Sequence, residues 1–341
     1  MEIGIDTFVS SGGGTIVERD ERAIENLLER IKFADELGFD LYGIGEHHGK
    51  DKLDSAPVVL MAAAASITNR IRITSAVTGL STVDPVRLFQ EFATLDLVSK
   101  GRAEIIAGRG ASLDAFPLFG LNIKDSAELF TEKLELLLKI RDNDTITWSG
   151  KFRPSLDNVS VYPRPLQASL PIWHAALRTP ASFIRAGELG LPLMVAIIDG
   201  QIDQIIPLVE LYREAGEDAG FSKDQLKVGL HSMGYVANTT EEAIKDFYPG
   251  WSNSMSKMHG LPKSLSRFEI DLKSTGSALL VGNPEEVAAK ILHLSEALGG
   301  ISRFCFQLDY ASLPHEKLLQ CIEVIGNKVI PIVKQESPVI Y

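Results

Sequence analysis

The chain has 341 residues, 45% hydrophobic and 23% charged, which fits a globular protein with a sizeable core. Its 34 basic against 45 acidic residues give a net charge of −11, and with no basic block this argues against nucleic acid and anionic membranes as partners. No apolar run reaches membrane-spanning length and the N-terminus lacks the regions of a signal peptide, so a cytoplasmic protein is expected.

In chain order, Glu2–Val9 alternates around Ile3, Ile5 and Phe8 and reads as a strand, followed by a Gly-rich loop at Ser10–Thr15. Asp20–Leu37 has helical apolar spacing, with Gly38 as its C-cap. Leu41–Lys50, LYGIGEHHGK, reads as a buried strand with a polar tip of Glu46, His47 and His48. Pro57–Ile67 is an alanine-rich, closely packed helix, and Ile71–Thr78 a β-branched strand. Asp84-Pro85 opens a helix carrying Leu88, Phe89, Phe92 and Leu95. Ala103–Ala107 is a strand ended by Gly108-Arg109-Gly110. The first ~110 residues thus alternate strand and helix with short connections, as parallel βαβ units require.

The second half continues the alternation. Leu129–Ile140 reads as a helix, Pro171–Leu177 as a strand, and Thr179-Pro180 as the start of a helix. Strand Pro192–Ile198, helix Ile202–Ala215 and strand Lys227–Ala237 follow. Thr239 and Glu242 form a capping box for a helix to about Tyr248. Asn283–Leu298 reads as a helix, Arg303–Leu308 as a strand and Pro314–Ile330 as a closing helix. The segment at about 145–168 is an excursion outside the alternation, and about 252–280 an irregular insertion. Eight strand–helix pairs with no linker between them predict one domain over 1–341, a (β/α)8 TIM-like barrel with insertions.

C-terminal strand ends face one mouth of such a barrel, where active sites lie. Arg109 between two glycines suits an anion, as do Thr179 and Ser182 at a helix N-terminus. Equally ordinary readings are a surface ion pair for Arg109 and a helix cap for Thr179. His47 and His48 fit zinc binding, structural packing or acid–base work, although adjacent histidines on a strand point to opposite faces. Cys305 and Cys321 are too few and too far apart for a zinc motif, and read as buried apolar residues.

Several ordered pieces carry a family resemblance: GFDLYGIGEHH, IRITSAVTGL followed by DPVRL, LVSKGRAEIIAGRG, YPRPLQ with PIW, TPAS with ELGLPLM, and the NPEEVAAKI helix. Together they resemble the bacterial luciferase-like flavin monooxygenases over nearly the whole chain. The resemblance implies a TIM-like barrel binding FMN in reduced form. It implies that His47 is the catalytic histidine, oriented by a neighbour such as Glu46. It places Arg109, Thr179 and Ser182 at the flavin phosphate, and a non-proline cis peptide at Ala76–Val77 near the flavin ring. Arg178 stands where luciferase has a carboxylate, and a cation there also suits a phosphate. Ala107 stands where luciferase has a reactive cysteine, which favours a generic monooxygenase over light emission.

The activity implied is oxidation of a small organic substrate, aldehyde- or ketone-like, by a flavin peroxide formed from reduced FMN and O₂. A separate NAD(P)H flavin reductase would supply the reduced FMN, a homodimer is implied, and Met255–Leu280 is a candidate lid. Two alternatives remain open: a deazaflavin-dependent dehydrogenase of the same superfamily, and a flavin-binding protein without turnover.

Overall fold

The computed structural model describes residues 1–10, 16–110, 113–198, 200–260 and 264–336. Most of the Gly-rich loop expected at Ser10–Thr15 lies outside them. In chain order the elements begin with β1 (Glu2–Thr7), α1 (Ile16–Glu36), β2 (Leu41–Ile44), α2 (Pro57–Ile67), β3 (Arg72–Ser75), β4 (Thr78–Gly79), α3 (Pro85–Ser99) and β5 (Ala103–Gly108). They continue with α4 (Ala115–Leu118), α5 (Ser126–Asp142), β6 (Thr145–Trp148), β7 (Leu156–Ser160), β8 (Ile172–Ala176), α6 (Pro180–Glu188), β9 (Leu193–Ile197) and α7 (Ile206–Asp218). The chain then forms β10 (Val228–Val236), α8 (Thr240–His259), α9 (Leu265–Lys273), β11 (Leu280–Gly282), α10 (Pro284–Ala297), β12 (Arg303–Gln307), α11 (His315–Val324) and α12 (Ile330–Glu336).

The hydrogen-bonded strand order is β10–β12–β1–β2–β3–β5–β8–β9, and β9 pairs back to β10. That closed order of eight strands, with helices between them, is a (β/α)8 barrel, as expected. The excursion near 145–168 forms a separate antiparallel pair, β6 with β7. Among the described residues no helix is long and apolar enough to cross a membrane.

The chain divides into two compact units. One comprises Phe8–Lys32 and Tyr42–Ala175, here the histidine unit; the other comprises Met1–Thr7, Phe33–Leu41 and Ala176–Tyr341, here the terminal unit. In the histidine unit the apolar stripes predicted for α3 and α5 are buried at Leu88, Phe89, Phe92, Leu129, Phe130, Leu134 and Leu137. Each such side chain contributes about 1.5–3 kcal/mol by leaving water. Asp84 caps α3 by accepting from the Val86 and Arg87 N–H groups. Arg102 ties the start of β5 to the end of α2: its guanidinium donates to the carbonyls of Ala65, Thr68 and Ile71 and to Thr68 Oγ1. It thereby satisfies carbonyls that the end of α2 and the turn after it leave without backbone partners.

In the terminal unit β1, β12 and β10 run parallel, with Ile3 opposite Phe304 and Leu230 opposite the same residue. Both cysteines are buried and free. The irregular insertion expected at about 252–280 is not irregular. α8 continues through Pro249 to His259, and α9 follows before β11. Proline there reads as a helix stop because its ring crowds the carbonyl four residues back. The stop is overridden by packing: Trp251 and Phe268 rings meet edge-on at 4.8 Å, with Phe247 and Tyr248 also against Phe268. The proposed lid at Met255–Leu280 is therefore helical over most of its length; its residues 261–263 lie outside the described residues.

Candidate active site

In the histidine unit β2 stops at Ile44, so the polar tip is loop, not strand as expected. Gly45 lets the chain pass Phe8: a Cβ at that position would lie 2.7 Å from Phe8 Cδ1. The Phe8 ring in turn meets the edge of His47, with centroids 4.4 Å apart. His47 Nδ1 lies 2.9 Å from Asp54 Oδ2, and Asp54 is fully buried. The same carboxylate oxygen accepts from the Val9 N–H at 3.2 Å, while Oδ1 has no partner among the described residues. A buried carboxylate at Nδ1 selects the Nδ1–H tautomer and leaves Nε2 as the acceptor. The His47 side chain is 20% exposed, so that nitrogen can meet a ligand.

Glu46 does not orient His47. Its Oε1 lies 3.1 Å from His48 Nε2 and its Oε2 accepts from the Gly79 N–H at 3.0 Å. Glu46 and His48 thus brace the loop after β2 against β4, with the His48 ring edge-on to Phe119. The orienting carboxylate, Asp54, escapes sequence reasoning because it sits in KDKLDSAP, where an Asp before a helix reads as a cap. Nothing in the sequence distinguishes it from Asp51. Among the described residues no group of three or more His, Cys, Asp or Glu side chains could hold a metal ion.

The strand expected over Ile71–Thr78 breaks into β3 and β4 at a cis Ala76–Val77 peptide. Next to it, Ser75 Oγ donates to the Ile106 carbonyl and accepts from the Ile106 N–H, pinning β3 to β5. The turn after β5 needs its glycines. A Cβ on Gly108 would lie 2.9 Å from Val77 Cγ2, and Gly110 has φ +93° with its ideal Cβ position 3.2 Å from Gly79 Cα. Between them Arg109 is exposed, with no ion pair or side-chain hydrogen bond among the described residues. The ion-pair reading of Arg109 therefore has no partner here, and its guanidinium is available to an anion. Ala107 is fully buried, in register with His174 of β8, whose ring packs edge-on against Phe130.

The terminal unit carries the other predicted anion residues. Thr179 precedes α6 with extended backbone (φ −87°, ψ 111°), yet its side chain makes no capping hydrogen bond. Its carbonyl accepts from the Ser182 N–H at 2.9 Å. The hydroxyl that the cap reading would consume is thus uncommitted among the described residues. Arg178 is exposed and lies over Gly200, where a Cβ would come 2.6 Å from Nη2. Glu46, His47, Ala76, Val77 and Arg109 belong to the histidine unit, and Arg178, Thr179 and Ser182 to the terminal unit.

The sequence profile of the luciferase-like monooxygenases matches residues 1–300. The chain belongs to this family. A relative within it is limonene 1,2-monooxygenase of Rhodococcus erythropolis, 25% identical over 91% of this chain and 81% of that protein. Among solved structures, monooxygenase RslO1 of Streptomyces bottropensis superposes with a TM-score of 0.84 at 24% identity, covering 97% of this chain and 99% of that one. The oxygenating constituent of 3,6-diketocamphane monooxygenase of Pseudomonas putida, a type II Baeyer–Villiger monooxygenase in complex with FMN, gives 0.76 at 21% identity, covering 97% and 98%. An F420-dependent secondary alcohol dehydrogenase gives 0.75 at 19%, covering 97% and 98%. At these identities the structural likenesses establish the barrel fold, and the family establishes a luciferase-like monooxygenase lineage.

Proposed function

We propose that this family member is a flavin-dependent monooxygenase that uses reduced FMN and O₂ to oxidise a small aldehyde- or ketone-like substrate. The observation that carries the reading is the His47–Asp54 pair, an imidazole with Nδ1 on a buried carboxylate and Nε2 without a partner among the described residues. A protein that only stored flavin would have no use for a tautomer-fixed imidazole presented in this way. The flavin-complexed neighbour of the same fold supports FMN as the cofactor.

The uncommitted groups fit a phosphate-bearing cofactor. Within the histidine unit Arg109 offers a charge-assisted donor; within the terminal unit the Thr179 and Ser182 hydroxyls with the N-terminus of α6 offer neutral ones. Arg178 adds a second cation. Reduced FMN, when bound, supplies the electrons and the reaction with O₂. His47 Nε2 would take up or return the proton that the substrate exchanges, while Asp54 keeps the ring in one tautomer and orientation. Ala76 and Val77, at the cis peptide, would lie along the flavin ring, and Glu46 with His48 would hold the loop in place.

We also propose a homodimer and a separate NAD(P)H flavin reductase as partners. Oxygen uptake with reduced FMN and a panel of aldehydes and ketones tests the activity. Substrate-dependent uptake in the wild type, lost in His47→Ala, is expected; equal uptake by both proteins would leave His47 a packing residue. The second reading, a deazaflavin-dependent dehydrogenase, is favoured by the F420-dependent neighbour. It predicts tighter binding of F420 than of FMN, and reduction of F420 by an alcohol with no oxygen uptake.

A further inference from the structure

The terminal unit holds a further carboxylate–imidazole pair that the sequence does not announce. Asp6, near the end of β1, places Oδ2 2.5 Å from Nδ1 of His231 on β10. The two are 225 positions apart, and β12 runs between their strands. Side chains of strands two apart meet on one face of the sheet, so Asp6 and His231 share that face with Gln307, the register partner of Asp6.

The pair repeats the logic of His47 and Asp54. In both, a buried aspartate holds Nδ1; Asp6 is 2% exposed and Asp54 fully buried. In both, the second carboxylate oxygen has no partner among the described residues. In both, Nε2 has no partner among the described residues, and the side chain keeps some exposure, 20% for His47 and 11% for His231. Burial raises the Asp6 carboxyl above its ordinary range, opposed by the neighbouring imidazole. A more basic carboxylate holds the Nδ1 proton more firmly. Tyr310 also feels the Asp6 charge: its hydroxyl is pushed up to about 12, mainly by burial and further by that charge.

As a strut between strands this arrangement is poor. A buried carboxylate costs desolvation that one hydrogen bond from an imidazole repays only in part. Here Asp6 Oδ1 and Gln307 Nε2 are also left buried without partners among the described residues, Gln307 Oε1 being spent on the Asp309 N–H. Such costs collect where a site needs them.

We propose that His231, held by Asp6, is a second acid–base residue, which accepts through Nε2 the hydrogen of a substrate hydroxyl. The proton passes from the hydroxyl oxygen to Nε2, leaving an oxyanion and an imidazolium whose charge faces the Asp6 carboxylate. The substrate class is narrowed to molecules bearing a hydroxyl, such as a phenol or alcohol, beside the group to be oxidised. The inference rests on the monooxygenase reading only for what becomes of that substrate, because the pair itself can be tested without flavin.

The test is site-resolved acylation of the full chain by diethyl pyrocarbonate, which attacks neutral imidazole nitrogens, followed by peptide mass spectrometry. His231 is expected to react at least tenfold faster than His174, which is 1% exposed. Asp6→Asn, which lets Nε2 carry the proton instead, should slow His231 at least tenfold. In the wild type 4-methylphenol should protect His231, and 4-methylanisole, which lacks the hydroxyl, should not. Unreactive His231, an unchanged rate in Asp6→Asn, or equal protection by both probes would overturn the proposal. Should Asp6→Asn fail to fold, His231→Asn keeps an N–H for Asp6 and removes Nε2. By calorimetry the wild type should bind 4-methylphenol and His231→Asn should not; binding retained in His231→Asn would equally overturn it. Because no step uses FMN, a chain that fails to bind flavin but behaves as expected here sinks only the monooxygenase reading.

Discussion

Replacing Asp54 with asparagine changes one atom in a fully buried side chain and asks how much the His47 tautomer matters. The carboxylate serves two donors through one oxygen, His47 Nδ1 at 2.9 Å and the Val9 N–H at 3.2 Å. An amide that turns its NH₂ toward Nδ1 puts that nitrogen in the Oδ2 position, donates to His47 and gives up the Val9 N–H. That forces the proton to Nε2 and removes the acceptor from the site. A hydrogen bond to a charged partner contributes about 1.5–3 kcal/mol, and the amide recovers part of it, so unfolding in urea should show a loss of about 1–3 kcal/mol. General acid–base catalysis contributes about 10²–10⁴ in rate; kcat should fall within that span, with FMN affinity unchanged. Oxygen uptake gives the rate, and ¹⁵N NMR of histidine-labelled protein gives the tautomer directly. Wild-type turnover in Asp54→Asn, with Nε2 shown to carry the proton, would refute the reasoning.

Thr179→Ala should leave stability unchanged, because its side chain makes no capping bond, whereas loss of a working cap costs about 1 kcal/mol; its effect should appear in FMN affinity alone, and a drop in melting temperature without one would reverse the assignment. Arg102→Met should destabilise by about 2–4 kcal/mol in denaturant unfolding, since four acceptors around the end of α2 lose their donor; a neutral result would mean that water replaces it without cost. Burial lowers the Lys133 ammonium to about 8, with its Nζ donating to the Ser81 carbonyl. The folded chain then sheds this proton before the unfolded chain does, so wild-type stability gains up to about 3 kcal/mol from this group as pH rises from about 8 to about 10.5. Lys133→Met should lack that gain, and matching pH profiles for the two proteins would contradict it.

Periodicity made the barrel legible, because each buried strand is a short apolar run and each helix keeps one apolar stripe. The turn at Gly108-Arg109-Gly110 was legible for a local reason: only glycine fits against Val77 and Gly79. The histidine tip was legible in kind but not in geometry, since β2 ends before Glu46 and the loop, not strand alternation, sends His47 and His48 to different carboxylates. Asp54 hid as an ordinary loop aspartate. Asp6 and His231 could not be paired at all, because only the sheet order brings β1 within reach of β10. At Pro249 the local rule gave a helix end, and the aromatic packing of Trp251 on Phe268 decided otherwise.

The central claim, that the chain binds reduced FMN through its phosphate, is tested most directly by calorimetric titration with reduced FMN and reduced riboflavin under anaerobic conditions. Riboflavin lacks only the phosphate. The account predicts at least tenfold tighter binding of FMN, a preference that Arg109→Ala removes with no loss of riboflavin affinity. Equal affinity for the two flavins, or an undiminished preference in Arg109→Ala, would contradict it.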